Sequence, residues 1–364
     1  MRQNLGRLGQ RLNAEAAETI APGGRRWKMC AEAGILSLGR SEPGQPADLL
    51  TAVAGMEALA AETLDNGLLF CLVGQICSSV HPVSTFGDSA QRRRVLEPLC
   101  QGELVGAAAA TEADAGSDVA AMRTRYRRAG GGYTLDGAKV FVTSAPSAGF
   151  FLVLARDGDA PAGQLPRLSY FLVSRDTPGA TVGQTYETMG LNSAPLGELV
   201  LDGCRLQEDA LLGNEGAGGM MFQSILEWER VLLVAAHTGT MGRVLQQTVS
   251  HARRRRQFGK PLLQHQQVGA RLADARADLE ASRLLTYHAA WCKRRGRTAP
   301  LEAALAKLFA SESYVRASLS ALQLHGAMGY ATETGIEGQV RDALASTIYG
   351  GTSEVLRNLI AAML

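Results

Sequence analysis

Apolar positions along the chain change their spacing twice. Up to about residue 105 they recur every three or four residues, the period of an amphipathic helix. Leu5, Leu8 and Leu12 form one such series, which APGG (21–24) interrupts. Trp27–Leu38 gives a second short helix, with Trp27, Cys30, Ala31 and Ile35 on one face. SEPGQP (41–46) reads as a loop, followed by helices over 49–60, around Leu68–Val73 and from Ala90 to Leu99, with Asp88 or Ser89 as N-cap. From about 106 to 215 the apolar runs are short, β-rich and separated by Gly, Asp and Pro: 133–143, 150–155, 168–173 and 197–205. Beyond 216 the helical period returns over 218–256, 262–294, 299–325 and 335–345, with a last helix from Ser353. The expected class is therefore α+β in three parts: helical 1–105, β 106–215 and helical 216–364.

One stretch dominates this pattern. MMFQSILEWERVLLVAAHTGTMG (220–242) is too apolar to be a solvated helix, yet it carries Glu229 beside Arg230. A carboxylate in such a run must be paired, or have its proton affinity raised. It is either an ion-pair member or a tuned acid or base.

Composition narrows the partners. The formal charge of +2 over 364 residues is small for a nucleic-acid binder, although arginines cluster at 253–256 and basic residues at 293–297. The six cysteines (30, 71, 77, 100, 204, 292) form no CxxC pair, which points to reduced thiols, a cytoplasmic location and no metal site. No secretory leader and no membrane span are expected. The absence of a strand–GxGxxG–helix unit disfavours a Rossmann-type nucleotide site.

Six strings, in order, then carry a resemblance. They are ATEADAGSD (110–118), DGAKVFVTS (136–144), RRQFGKPLLQHQ (255–266), QLHGAMGY (323–330), RD (341–342) and IYGGTSE (348–354). Together with the helix–β–helix layout they resemble the acyl-CoA dehydrogenase family from about residue 27 to the C-terminus. The resemblance implies an N-terminal helical domain, a small β-barrel-like middle domain and a C-terminal four-helix bundle. It also implies FAD bound between the β domain and the bundle, with a neighbouring subunit completing the site in a homodimer or homotetramer.

Residue by residue, the resemblance places Thr111, Gly116 and Ser117 where the signature loop approaches flavin and ligand. Thr143 matches the threonine at flavin N5, and Phe141 stands where relatives commonly have tryptophan. Arg255 matches the arginine that reaches the FAD pyrophosphate from the next subunit, with Phe258 in the same string. Gln323 and Gly326 match the ADP-binding turn, while His325 and Ala327 depart from it; His325 reads as a structural histidine. Thr352 would lie near the FAD phosphates. The family's commoner catalytic base belongs at position 350, which is glycine here. A glycine cannot abstract a proton, but its backbone N–H can still polarise a thioester carbonyl. A subgroup similar to isovaleryl- and long-chain acyl-CoA dehydrogenases carries the base on the helix before the arginine-rich segment, and Glu229 matches it. Glu227 and Glu354 are the rivals.

The implied reaction is α,β-dehydrogenation of an acyl thioester, with an electron-transfer flavoprotein-like acceptor for the reduced FAD. The segment MGLNSAPLGEL (189–199) and the abbreviated region around 41–50 depart from the usual pattern near the thioester entrance. These departures fit a biosynthetic member acting on a carrier-protein-bound or unusual short or branched acyl chain. The alternatives are a flavin oxidase or monooxygenase of the same fold, or a non-catalytic FAD-binding scaffold.

Overall fold

The computed structural model describes residues 2–15, 21–42, 45–160 and 167–364. The centre of the expected 41–46 loop lies outside them. The N-terminal part contains α1 (Arg2–Ala14), α2 (Arg25–Glu32), α3 (Leu49–Ala60), α4 (Asn66–Gln75), α5 (His81–Phe86), α6 (Ser89–Gln91) and α7 (Glu97–Cys100). Leu5, Leu8 and Leu12 are buried, as their spacing requires. The second helix stops at Glu32, short of the expected Leu38. Gly34 takes a left-handed φ of 76°, and Ile35 N–H returns to the Cys30 carbonyl at 3.0 Å, which closes the helix end. Asp88 is the N-cap of α6 in a capping box with Gln91.

α4 and α5 form one rod, Asn66–Phe86, joined by a wide π-turn at Ile76–Val80. A second π-turn, Arg92–Leu96, interrupts what reads in sequence as one helix from 90 to 99. The rod is by length and composition alone apolar enough to cross a membrane, but 89% of its apolar window is buried inside the protein. It is a core helix.

The middle part is an eight-stranded sheet. Its strands are β1 (Gly106–Ala109), β2 (Arg125–Ala129), β3 (Gly132–Thr143), β4 (Phe150–Asp157), β5 (Leu168–Ser174), β6 (Ala180–Tyr186), β7 (Leu196–Gln207) and β8 (Leu211–Leu212). They run in the order β6-β7-β3-β2-β4-β5-β8, with β1 parallel to β4. The register of β3 on β7 slips between Lys139 and Val142, a bulge that re-aims the side chains of the intervening residues.

The C-terminal part is built on α8 (Gly218–Arg254), a 37-residue helix. A short hairpin, β9 (Arg256–Gln257) and β10 (Lys260–Pro261), leads into α9 (Gln266–Arg294) and α10 (Pro300–His325). Then come α11 (Ala327–Tyr330), α12 (Ile336–Ala345) and α13 (Ser353–Ala361). α8 is buried over most of its middle because it packs on α3 and α4 as well as on α9 and α10, so one apolar core joins the N- and C-terminal parts. That position explains why its sequence is apolar nearly all round.

Candidate active site

The 66–86 rod and α8 lie antiparallel, with Asn66 of α4 opposite Thr240 (3.1 Å) and Ser78 of the π-turn opposite Glu229 (3.4 Å). Residues four apart on α8 share a face. Glu229, Leu233 and His237 therefore look along the same seam, while Glu227 points elsewhere and is held by Lys293 (2.6 Å) and the Ala299 N–H (3.1 Å). Glu354 is exposed, and its carboxyl is held below the usual range chiefly by the backbone N–H of its own residue. Glu229, by contrast with Glu354, has its proton affinity raised. Burial pushes it up, and Arg230, the Ser78 hydroxyl and Lys307 offset this only in part.

The seam encloses a cavity of about 20 Å³, room for one water-sized group. Apolar side chains of Leu69, Phe70, Val73 and Leu233 line one part of it. Its polar part holds Asn66, His237, Tyr314 and Asp342, and Tyr349 closes the wall with its ring 4.7 Å from Phe70. His237 is kept neutral, its pKa pushed down to about 3 by burial and by Lys307.

Next to Tyr349 the chain makes the turn that holds Gly350. Both Gly350 and Gly351 have left-handed φ angles, 64° and 96°, where any Cβ is strained. Arg230 Nε donates to the Gly350 carbonyl at 2.9 Å, and Lys307 Nζ to the Gly351 carbonyl at 2.7 Å. Arg230 thus braces the turn. Sequence reasoning missed Lys307, a lysine that is 0% exposed. Its signal was present: it lies between Ala303 and Ala310 on the apolar face of α10.

The remaining site residues form two groups. The first is on the edge of the sheet that faces α4. Thr143 ends β3, and the next residue, Ser144, donates from its hydroxyl to Cys71 Sγ on α4 at 3.6 Å. Phe141 lies in the β3 bulge at φ 53°, is 57% exposed and leans on Tyr186 (4.8 Å). Thr111 is tied to β3 by its carbonyl, which accepts from Val140 N–H at 2.9 Å, whereas Gly116 and Ser117 are exposed. A Cβ at Gly116 would meet nothing nearer than Thr111 Cγ2 at 4.0 Å. An exposed aromatic face beside an open loop of hydroxyls and backbone N–H groups suits a flat group with a polar edge, so the chemistry present here is compatible with a flavin.

The second group lies at the other end of α8. Arg255 and Phe258 are exposed, and the stacked rings of His251 and His325 (4.2 Å) fix the Gln323–Gly326 turn beside them. His325 Nδ1 lies 2.8 Å from the Ala321 carbonyl, in keeping with a structural role. Along a helix rising 1.5 Å per residue, Arg255 is about 39 Å from Glu229. One chain does not bring these two places together. Thr352 caps α13, accepting from Val355 N–H at 3.2 Å, two residues beyond Gly350.

Family models for the acyl-CoA dehydrogenase N-terminal, middle and C-terminal domains match residues 9–103, 107–204 and 216–364. The chain is 38% identical over 340 residues to an L-prolyl-[peptidyl-carrier protein] dehydrogenase of Pseudomonas fluorescens, covering 93% of this chain and 89% of the relative. The crystal structure of the prolyl acyl carrier protein oxidase AnaB superposes with a TM-score of 0.93 at 33% identity, over 100% of this chain and 97% of that one. An FAD complex of PigA gives a TM-score of 0.94 at 32% identity, over 100% and 96%.

Proposed function

This chain belongs to the acyl-CoA dehydrogenase family, and from that premise we propose that Glu229 is the base and the Gly350 N–H the carbonyl-polarising donor of its reaction. The protein is an FAD-dependent enzyme that dehydrogenates an acyl thioester. The observation that carries the assignment is the position of Glu229: a half-buried carboxylate of raised proton affinity, 3.4 Å from the Ser78 hydroxyl and one helical turn before Leu233, whose side chain packs against the turn where Gly350 leaves no side-chain rival.

The α-proton of a thioester is too weakly acidic to leave unaided. Hydrogen-bond donation to the thioester oxygen stabilises the negative charge that develops there, and the Gly350 N–H is free to supply it. Desolvation brings Glu229 nearer to the proton affinity of an effective base. FAD, when bound, supplies the electron sink that accepts the β-hydrogen as hydride. Thr111, Gly116, Ser117, Phe141, Thr143 and Thr352 would hold it on this chain, and Arg255, Phe258, Gln323 and Gly326 would hold it from a second copy. The 39 Å separation along α8 supports that division and hence at least a homodimer.

The acyl group is small and carried on a carrier protein, as the names of the relatives say of theirs. The electrons pass on to an electron-transfer flavoprotein-like acceptor in the cytoplasm. Anaerobic titration of the FAD-loaded protein tests this reading. L-prolyl carrier protein should bleach the flavin, and octanoyl-CoA should not; the opposite preference overturns the carrier reading. Rapid reoxidation by O2 would favour the oxidase alternative.

A further inference from the structure

Three successive residues of the 349–351 turn are fastened by buried side chains from two helices. His237 Nε2 lies 2.9 Å from the Tyr349 hydroxyl, Arg230 Nε donates to Gly350 and Lys307 Nζ donates to Gly351. The anchors are 5%, 4% and 0% exposed. Meanwhile the Gly350 and Gly351 N–H groups have no hydrogen-bond partner among the described residues.

That combination is unusual in two ways. A Gly-Gly pair is the most mobile dipeptide, so an unfastened turn would sample many orientations of its N–H groups. Burying arginine beside lysine is also costly. Burial and the Arg230 charge together depress the Lys307 pKa to about 8. Apolar side chains would fill the same volume more cheaply. Fold stability is thus a poor reason for two cations beneath this turn, whereas alignment of its donors is a good one.

We propose that Arg230 and Lys307 are positioning residues for the dehydrogenation. By fixing the carbonyls of Gly350 and Gly351 they hold the Gly350 N–H in the orientation that bonds the thioester oxygen, and His237 steadies the preceding Tyr349 in the same way. The inference rests on the role proposed above for the Gly350 N–H. A donor of this kind contributes about 10²–10³-fold in rate when well aligned. Loosening one of its anchors therefore costs part of that factor.

Lys307→Met and Lys307→Arg, both loaded with FAD, give the test. Lys307→Met should reduce flavin about 10–100-fold more slowly, with KM within about threefold of wild type. Lys307→Arg, which keeps a charged donor, should recover most of the rate. A second readout separates positioning from mere folding: the infrared carbonyl stretch of bound crotonyl-CoA labelled with 13C at C1, with occupancy followed in the flavin spectrum. The wild-type protein should lower that frequency relative to solution, and Lys307→Met should return it towards the solution value. A slow variant with an unchanged carbonyl shift, or an unchanged rate, overturns the proposal. If the wild-type protein binds the probe without shifting it, the Gly350 role fails first and the clamp falls with it.

Discussion

Replacing Lys139 with methionine removes the charged end of a side chain that joins two of the motif strings. Its Nζ donates to Glu112 Oε1 at 2.8 Å and to the Ala110 carbonyl at 3.0 Å, tying the 110–118 loop to β3. Lys139 is 0% and Glu112 8% exposed, so water screens the pair little. Removing one partner of a buried pair costs roughly 3–5 kcal/mol. The lower end applies here, because Glu112 keeps the N–H groups of Arg123 (2.6 Å) and Thr124 (2.9 Å). Lys139→Met should therefore lose about 3 kcal/mol, whereas Glu112→Gln/Lys139→Met, which leaves no unpaired charge, should lie within about 1 kcal/mol of wild type. Urea unfolding of the FAD-loaded protein, followed by circular dichroism and flavin fluorescence, measures both. The sign of the pH dependence is also fixed. Burial would raise the Glu112 pKa, but the hydrogen bonds from Lys139, Thr124 and Arg123 outweigh it and hold the pKa below the usual carboxylate value. The stabilisation is thus present above that usual value and lost as pH falls through the depressed one, so the wild-type advantage over Lys139→Met should shrink in acid. A single variant as stable as wild type, or a double variant no better than the single, would refute the reasoning.

Two further outcomes follow from the site. Ser78→Ala removes a hydrogen bond that lowers the Glu229 pKa. The acid limb of the kcat/KM profile, which rises as Glu229 loses its proton, should then move to higher pH; a move to lower pH would contradict the assignment. Phe141→Ala deletes an exposed ring, so stability should change by less than about 0.5 kcal/mol, while FAD affinity should fall about 2–10-fold through the lost aromatic contact. Equilibrium dialysis against FAD reads the difference.

How much of this was legible in the sequence depended on whether a residue's surroundings were local. Glu229 could be read because the run that buries it is contiguous, and Asp88 because a cap and its partner are three residues apart. The strand β6 could not: its alternation lasts only from Ala180 to Gly183 before the register irregularity between Val182 and Thr185 breaks it, and none of its residues is fully buried. The π-turns in the 66–86 rod and in 89–100 also escaped, since the apolar spacing there reads as uninterrupted helix. Lys139 was quoted in a motif and Glu112 in another, yet their pairing across 27 positions left no trace in either string. Lys307 went unread, although it lies between Ala303 and Ala310 on the apolar face of α10, because the turn it fastens is 44 residues away. The chemistry of the turn was half legible. The missing side chain at Gly350 was plain, but the cations holding its carbonyls come from positions 120 and 44 residues away.

The central claim is that Glu229 takes the α-proton. Stopped-flow reduction of the FAD-loaded Glu229→Gln protein by an acyl thioester that bleaches the wild-type flavin tests it directly, with FAD content and far-UV circular dichroism as controls. FAD should bind as in wild type and reduction should slow by about 10³-fold, of the order expected for loss of a general base. Reduction within a few fold of wild type would contradict it.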